Sequence, residues 1–291
     1  MFESLQELVS IAENSKKSLA EIVIETEMTI SGDAEEHIRL RMQKRLDIMK
    51  ESAQKALDKP VKSLSGISGG SAYKFWHWLD GNEPLTGSIM SRALARALSV
   101  NEVNAGMGCI VATPTAGSAG ILPATLITLQ ESHHFSDDEI VDALFVASGI
   151  GMVIVNRANV SGAMGGCQAE TGSAAAMAAG ASVALMGGSP HQSAQAVAIT
   201  LKNMLGLVCD PVAGLVEVPC VKRNAAGVAQ CFVAIDLALA GIESVIPPDE
   251  VIDAMANIGK VMDKNLKETG LGGLAATPTG KRLAAKVWGD S

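Results

Sequence analysis

The middle of the chain carries almost no charge, and this restricts the possible folds more than any other feature of the sequence. Residues 103–201 include only seven acidic or basic side chains, and residues 171–201 include none. A segment of this kind is buried, either in a protein core or in a membrane. The uncharged run is rich in Ala, Gly and Ser and is broken by Gly-Gly-Ser-Pro at 187–190, whereas a membrane span needs about 20 strongly apolar residues. We therefore expect buried helices here and no membrane span.

Apolar residues recur at helical spacing on both sides of this segment. One helix face is predicted from intervals of three and four residues between Met42, Leu46, Met49, Ala53 and Leu57. A second is predicted behind a Pro-Pro pair from the spacing of Val251, Met255, Ile258 and Met262. Helix starts are predicted at Ser136 and Ser189, because each is followed three residues later by Glu or Gln, as in a capping box.

Alternating strand patterns are scarce, and the best candidates are the short stretches 21–24 and 108–112. The sequence therefore predicts a mainly α protein, a helical domain with a buried Gly/Ala-rich centre in which turns carry the functional residues. We expect one domain over residues 1–291. It would comprise a charged helical N-terminal part at about 1–60, a catalytic part at about 61–276 and a tail at 277–291.

Composition limits the classes of partner. The net charge is −8, with a pI near 5.2, so the chain lacks the basic face that binding to nucleic acid requires. The charged N-terminus shows no apolar signal segment, and we expect a cytoplasmic protein that acts on small molecules. Its five cysteines are then reduced thiols, for which metal binding or catalysis is a more common role than disulfide bonding.

Three segments are unusually rich in Gly, Pro and hydroxyl residues, at 65–74, 112–120 and 203–220. These residue types are unfavourable inside helices, so the segments are predicted to be turns between helices. Turns that begin helices present free N–H groups and hydroxyls, which suit carboxylates and other anions. Tight packing turns without a ligand are an equally good interpretation of this composition alone.

The cysteines fall into two groups by their neighbours. Cys167 follows two glycines, and Cys209 and Cys220 flank Asp-Pro and Val-Pro corners, where the backbone can present a thiolate to a metal. Cys109 and Cys231 have apolar neighbours, and we expect both in the core. Spacings of 42 and 11 residues within the first group match no standard zinc or ferredoxin motif, so spacing alone does not identify a metal.

Several motifs together make the chain similar to a known family. It resembles the iron–sulfur-dependent L-serine dehydratases, in family order, at residues 101–123, 161–170, 207–214, 218–224 and 268–275. The resemblance implies cluster-bearing turns, with Cys167, Cys209 and Cys220 holding a [4Fe–4S] cluster that has one open iron. It also implies a lyase that converts L-serine to pyruvate and ammonia, with the open iron acting as a Lewis acid on the β-hydroxyl.

The sequence offers several candidates for residues that bind substrate or accept its proton. Lys74 is a candidate base, or a cation for the substrate carboxylate, and a solvated surface lysine is the alternative. Thr113, Thr115 and Ser118 are candidate ligands for the carboxylate or ammonium, and local turn hydrogen bonds are the alternative. We expect the pair at 133–134, two histidines, to lie in a surface turn.

The resemblance also implies a partner. Single-chain relatives carry an upstream domain with a Gly-Pro-Ser-Ser-Ser-His-Thr segment, and no Ser-His-Thr occurs in this chain. Relatives without that domain are αβ pairs, which implies a separate beta subunit. Single-chain relatives also end near a cysteine that can reach the open iron. Because no cysteine follows Cys231 here, we expect a water or a carboxylate at that position at rest.

Three rival interpretations remain open. A pyridoxal-phosphate dehydratase would use Lys74 as its Schiff-base lysine, although the helical pattern and the three cysteines argue against it. A non-enzymatic iron–sulfur scaffold or electron carrier would need a fourth ligand, for which Cys109 is the best candidate. A helical module without metal would have all five cysteines in its core.

Overall fold

Thirteen α-helices build the part of the chain that the structure, a computed structural model, describes, namely residues 2–289. Met1, at the start of the predicted N-terminal part, and residues 290–291, at the end of the predicted tail, lie outside the described residues. The helices are α1 (Leu5–Ser15), α2 (Leu19–Ser31), α3 (Glu35–Asp58), α4 (Ser71–Trp78), α5 (Gly87–Ala105), α6 (Ile121–His133), α7 (Asp137–Ala158), α8 (Gly162–Gly165), α9 (Ser173–Leu185), α10 (Pro190–Met204), α11 (Cys220–Leu239), α12 (Pro248–Val261) and α13 (Pro278–Trp288). The prediction of a mainly α fold is confirmed.

Neither predicted strand forms. Residues 21–24 lie within α2. Ser18 caps that helix, and the Glu21 carboxylate accepts a hydrogen bond from the Ser18 N–H, so the two residues form a capping box that stabilises the first helical turn. Residues 108–112 are irregular and follow the end of α5. Within residues 2–289 the β pairings are isolated bridges, between Lys62 and Gly69 and between Cys209 and Lys267.

The predicted helix signals lie on helices, except that Met262, the last residue of the second predicted face, follows the end of α12. The face from Met42 to Leu57 lies on α3 and turns toward the core, with Leu46, Met49, Ala53 and Leu57 all buried. Ser136 and Ser189 each form a complete capping box at the starts of α7 and α10. These signals are local, since a cap acts only on the first helical turn, so sequence alone is enough to place them.

The uncharged run forms the centre of the protein. Helix α9 is buried along almost its whole length and packs against α6, α7, α10 and α11. A side chain at Gly180 would place its Cβ 2.5 Å from Ile150 and 2.9 Å from Val197, so these helices approach too closely for any larger residue. Small residues are therefore needed for packing, which explains a core with so few aromatic side chains. No helix among the described residues is both long and apolar enough to cross a membrane.

Candidate metal centre

Two thiols and a carboxylate meet in the interior. One ligand atom from each of Cys167, Glu170 and Cys209 lies within 4.8 Å of the other two, and all three residues are buried. Cys167 immediately precedes a π-helical turn, Gln168–Gly172, that carries Glu170. Such turns widen a helix by one residue and occur frequently at functional sites. Here the turn places the carboxylate beside the thiol that comes three residues earlier.

Sequence reasoning missed Glu170, although a signal was present. It is the only charged residue between Arg157 and Lys202, within the most apolar part of the chain. A single carboxylate kept in such a segment indicates a specific task, because burying a charge is unfavourable unless it is paired or bound to a metal.

Cys209 is held by a short pairing with a distant segment. Its N–H donates to the carbonyl of Leu266 at 2.8 Å, and the Glu268 N–H donates to the Cys209 carbonyl at 2.7 Å. The pairing brings the Glu268 carboxylate to the same place. A Cβ on Gly162 would lie 2.9 Å from Cys209 Sγ, 3.2 Å from Glu268 Oε2 and 3.3 Å from Glu170 Oε2. Gly162 therefore leaves room for these three side chains to converge.

Cys220 begins α11 and is also buried. Burial raises the pKa of its thiol to about 12, and the neighbouring Cys167 and Glu170 contribute in the same direction. Cys220 therefore lies within the electrostatic field of the same group. Of the three cysteines that the sequence analysis singled out, the structure brings Cys167 and Cys209 into one group with Glu170, and Cys220 is buried at the start of α11 outside that group.

The thiols and carboxylate influence one another strongly. A hydrogen bond from the Cys209 thiol lowers the pKa of Cys167, with Thr171 and Arg223 assisting and burial opposing. The same hydrogen bond, together with burial, raises the pKa of Cys209. Burial also raises the pKa of Glu170, and the charge of Glu268 adds to this. Several potential anions therefore share one buried space, and a bound cation would stabilise their charged forms.

Arg223 provides the nearby positive charge. Its guanidinium pairs with Asp210 at 2.8 Å and donates to the Val208 carbonyl at 2.7 Å. Asp210 in turn accepts the N–H of Leu274 at 2.8 Å. The arginine is therefore engaged by its own carboxylate, and it fixes the loop that carries Cys209.

The turn at 112–120 supplies hydroxyls to the centre. Thr115 donates its hydroxyl hydrogen bond to Glu170 Oε1 and lies 3.0 Å from the Ser118 hydroxyl. Thr113 differs, because its hydroxyl faces the Ala119 carbonyl at 3.5 Å. Thr113 also lines a cavity of about 520 Å³ formed with residues of α2, α3 and α7. Of the three predicted hydroxyl ligands, Thr115 contacts the thiol and carboxylate group, Ser118 reaches it through Thr115, and Thr113 faces elsewhere.

Lys74 lies exposed on α4. Burial, which would make a lysine a better base, is missing at this position. The preceding turn contacts the segment that leads to Cys220, because the hydroxyls of Ser65 and Ser68 both donate to the buried Glu217, at 2.9 and 2.8 Å. The N-terminus of α4 is occupied by a carboxylate of the chain itself, since Ser71 N–H donates to Glu102 at 2.6 Å.

The other two cysteines lie in different surroundings. Cys231 is fully buried, as expected, and burial raises its pKa to about 12. The prediction that Cys109 lies in the core is wrong, since its side chain is exposed. The reason is that residues 108–112 form an irregular segment after the end of α5. The apolar residues of this segment therefore lie on no helix face that could turn them toward the core. The histidines at 133–134 are exposed at the end of α6, in agreement with a surface turn.

Comparison with known proteins finds similar chains over the whole length. Residues 14–275 match the family described as serine dehydratase alpha chain. A Bacillus subtilis (strain 168) protein named "Probable L-serine dehydratase, alpha chain" is 50% identical over 291 residues, covering 100% of this chain and 97% of that protein. The "L-serine dehydratase, alpha chain" of Peptoniphilus asaccharolyticus is 43% identical, covering 97% of each chain.

A longer relative is similar over a smaller share of its length. The "L-serine dehydratase" of Mycobacterium tuberculosis (strain CDC 1551 / Oshkosh) is 36% identical over 284 residues, which cover 94% of this chain and 60% of that protein. The family match spans most of the chain and includes every segment that builds the thiol and carboxylate group. The chain therefore belongs to the serine dehydratase alpha chain family.

Proposed function

We propose that this chain is the alpha chain of an enzyme that converts L-serine to pyruvate and ammonia. The observation that carries the proposal is the convergence of Cys167, Cys209 and Glu170 at one place in the core, with the buried Cys220 nearby at the start of α11. Family membership supports it, because relatives of matching length are named L-serine dehydratase alpha chains.

We propose further that Cys167, Cys209 and Cys220 hold a [4Fe–4S] cluster. Thiolates are the ligands that iron–sulfur clusters use, and these three thiols are buried and free of disulfides. Burial disfavours an unbound thiolate at Cys220, so a cation of high charge is what would keep it ionised. A cluster with three protein thiolates supplies a Lewis-acidic iron, which assists departure of a hydroxyl group.

The chain's own side chains would arrange and shield the reacting groups. Thr115 and Ser118 offer hydroxyls beside Glu170, suited to the carboxylate or ammonium of an amino acid. Arg223 offsets part of the negative charge of the thiolates, as its effect on Cys167 indicates. Gly162 and Gly117 keep the space around Glu170 free of side-chain bulk, since a Cβ on Gly117 would lie 2.5 Å from Glu170 Oε1.

We also propose a beta subunit as partner. The match to the longer Mycobacterium tuberculosis relative leaves much of that protein outside the alignment. Met164, three residues before Cys167, and Leu271, three residues after Glu268, are exposed at 62 and 69%, and Leu64 is exposed at 78% on the turn that contacts Glu217. Exposed apolar side chains beside a functional site suit a surface that another protein covers.

The test is anaerobic purification of the chain with its partner, followed by iron and sulfide analysis, a visible absorption spectrum and a pyruvate assay with L-serine. We expect about four irons and four sulfides per alpha chain, as the proposed cluster requires, together with pyruvate formation. An internal aldimine spectrum without iron would favour the pyridoxal-phosphate interpretation. A full cluster without pyruvate would favour a scaffold or electron carrier.

A further inference from the structure

Glu170 is a buried carboxylate without a cation. Its residue is 8% exposed, and no Lys, Arg or His nitrogen of the described residues lies within 4.0 Å of it. The guanidinium of Arg223 pairs with Asp210 and acts on the Cys167 thiol, and it makes no ion pair with Glu170. Because a buried charge without a partner is strongly unfavourable, either the carboxyl is neutral or it has a cationic partner that the chain does not provide.

The two oxygens of this carboxylate have different surroundings. Oε1 accepts a hydrogen bond from the Thr115 hydroxyl. Oε2 accepts none among residues 2–289 and faces the space above Gly162, where Cys209 Sγ and Glu268 Oε2 also lie. One oxygen is therefore fixed and the other is available, which is the arrangement expected of a carboxylate that binds a metal through a single oxygen, with a hydrogen bond orienting it.

The remaining thiols are poorly placed to provide a fourth ligand. Cys231 is fully buried in the apolar core between helices, and Cys109 is exposed on the irregular segment after α5. The group of side chains that lies within 4.8 Å contains Glu170 and neither of these cysteines.

We propose that Glu170, through Oε2, is the fourth protein ligand of the cluster in the resting enzyme. The inference rests on the proposed function and names the residue that occupies the iron left open by the three cysteines. A carboxylate oxygen is a harder and more readily exchanged ligand for iron than a thiolate. Glu170 therefore holds the fourth iron between turnovers and releases its position when L-serine binds.

Glu268 is the competing carboxylate. Its Oε2 also faces Gly162, but its residue is exposed and its carboxylate is not part of the 4.8 Å group. An exposed carboxylate is stabilised by water, whereas a buried one gains more from a cation. Comparing Glu170→Gln with Glu268→Gln distinguishes the two, because both changes keep the side-chain shape and remove the charge.

The experiment uses reconstituted full-length protein with its beta subunit, under anaerobic conditions. Iron and sulfide are counted first, and ferricyanide is then added while EPR follows conversion of [4Fe–4S] to [3Fe–4S]. We expect Glu170→Gln to lose the fourth iron at least about tenfold faster than wild type, since changing even an outer-shell partner of a metal ligand costs about 10- to 100-fold in metal affinity. Glu268→Gln should behave like wild type.

The outcomes separate the inference from the proposed function. Wild type without a cluster would overturn both. A wild-type cluster whose fourth iron is lost at the same rate in Glu170→Gln, or faster only in Glu268→Gln, would overturn the inference alone. If circular dichroism shows that Glu170→Gln does not fold, Thr115→Val tests the same ligand. It removes the hydrogen bond that orients Glu170, and it should also accelerate loss of the fourth iron. An unchanged rate in that variant would then count against the inference.

Discussion

The side-chain amide of Asn224 donates a hydrogen bond of 2.7 Å to the carbonyl of Gly117, which lies 107 residues earlier in the chain. The same amide donates to the Cys220 carbonyl at 2.9 Å, and its oxygen accepts the Gly120 N–H at 3.1 Å. Asn224 is fully buried. One side chain therefore ties the turn that carries Thr115 to the start of the helix that carries Cys220.

We expect Asn224→Ala to lower the free energy of unfolding by roughly 1–3 kcal/mol for each backbone group that it leaves unpaired. Chemical denaturation of the cluster-free chain, followed by circular dichroism, measures this. Asn257→Ala is a suitable control, because Asn257 is exposed on α12, and a surface change of this kind alters stability by less than about 0.5 kcal/mol. Equal stability of the two variants would contradict the bridging role of Asn224.

Replacing cysteines should divide them into the two groups that the structure distinguishes. Cys209→Ser and Cys220→Ser should abolish iron binding and activity, because serine lacks the soft thiolate that an iron–sulfur cluster requires. Cys231→Ser should keep its iron and lose roughly 1–3 kcal/mol of stability, since it places a hydroxyl in an apolar core. Iron analysis of the three variants tests this. Full iron content in Cys209→Ser would refute the assignment.

Gly162→Ala tests whether iron binding needs the space that Gly162 leaves between Cys209 and the carboxylates of Glu170 and Glu268. Its methyl group would lie 2.9 Å from Cys209 Sγ, so the thiol must move. We expect iron content after reconstitution to fall several-fold, while the helical circular dichroism signal persists. Gly172→Ala is the matched control, because it lies in the adjacent π-helical turn and its methyl group would meet only ordinary contacts, at 3.7 Å and beyond. Unchanged iron content in Gly162→Ala would show that the space is not required.

The helices could be predicted from sequence because their signals are short-range. Ser136 and Ser189 cap the helices that follow them whatever the rest of the fold does, and the α3 stripe has helical spacing by itself. Two predictions from local patterns were wrong. Residues 21–24 were predicted to be a strand from their alternating pattern, but the capping box at Ser18 starts a helix there. Cys109 was predicted to be buried from its apolar neighbours, but those neighbours belong to no helix and Cys109 is exposed. Apolar neighbours indicate burial only when a regular element turns them toward the core.

The candidate centre depends on contacts that no local pattern encodes. Thr115 meets Glu170 across 55 residues, and Glu268 reaches Cys209 because of a pairing between distant segments. The three cysteines were identified from their Gly and Pro neighbours and from resemblance. Glu170 emerged only once the fold brought it beside Cys167 and Cys209. Lys74, chosen from its turn motif, is exposed on α4, and its role as base or substrate cation stays a prediction.

The beta subunit is the subject of the last prediction. We expect the reconstituted chain alone, with a full cluster, to turn over L-serine far more slowly than the chain with its partner. The physical reason is that a metal polarises a hydroxyl effectively only when the surrounding site excludes water. Leu64, Met164 and Leu271 are exposed, and a covering protein would bury them.

The measurement compares pyruvate formation at saturating L-serine with and without the partner, with iron counted in each sample. Met164→Glu should weaken association, measured by analytical ultracentrifugation, because it places a charge on the surface that the partner is expected to cover. Ile30→Glu is the control, since Ile30 is also exposed, at 57%, but lies on α2 in the N-terminal part. If the lone chain with a full cluster works as fast as the pair, the centre is complete within this chain and the two-subunit proposal is wrong.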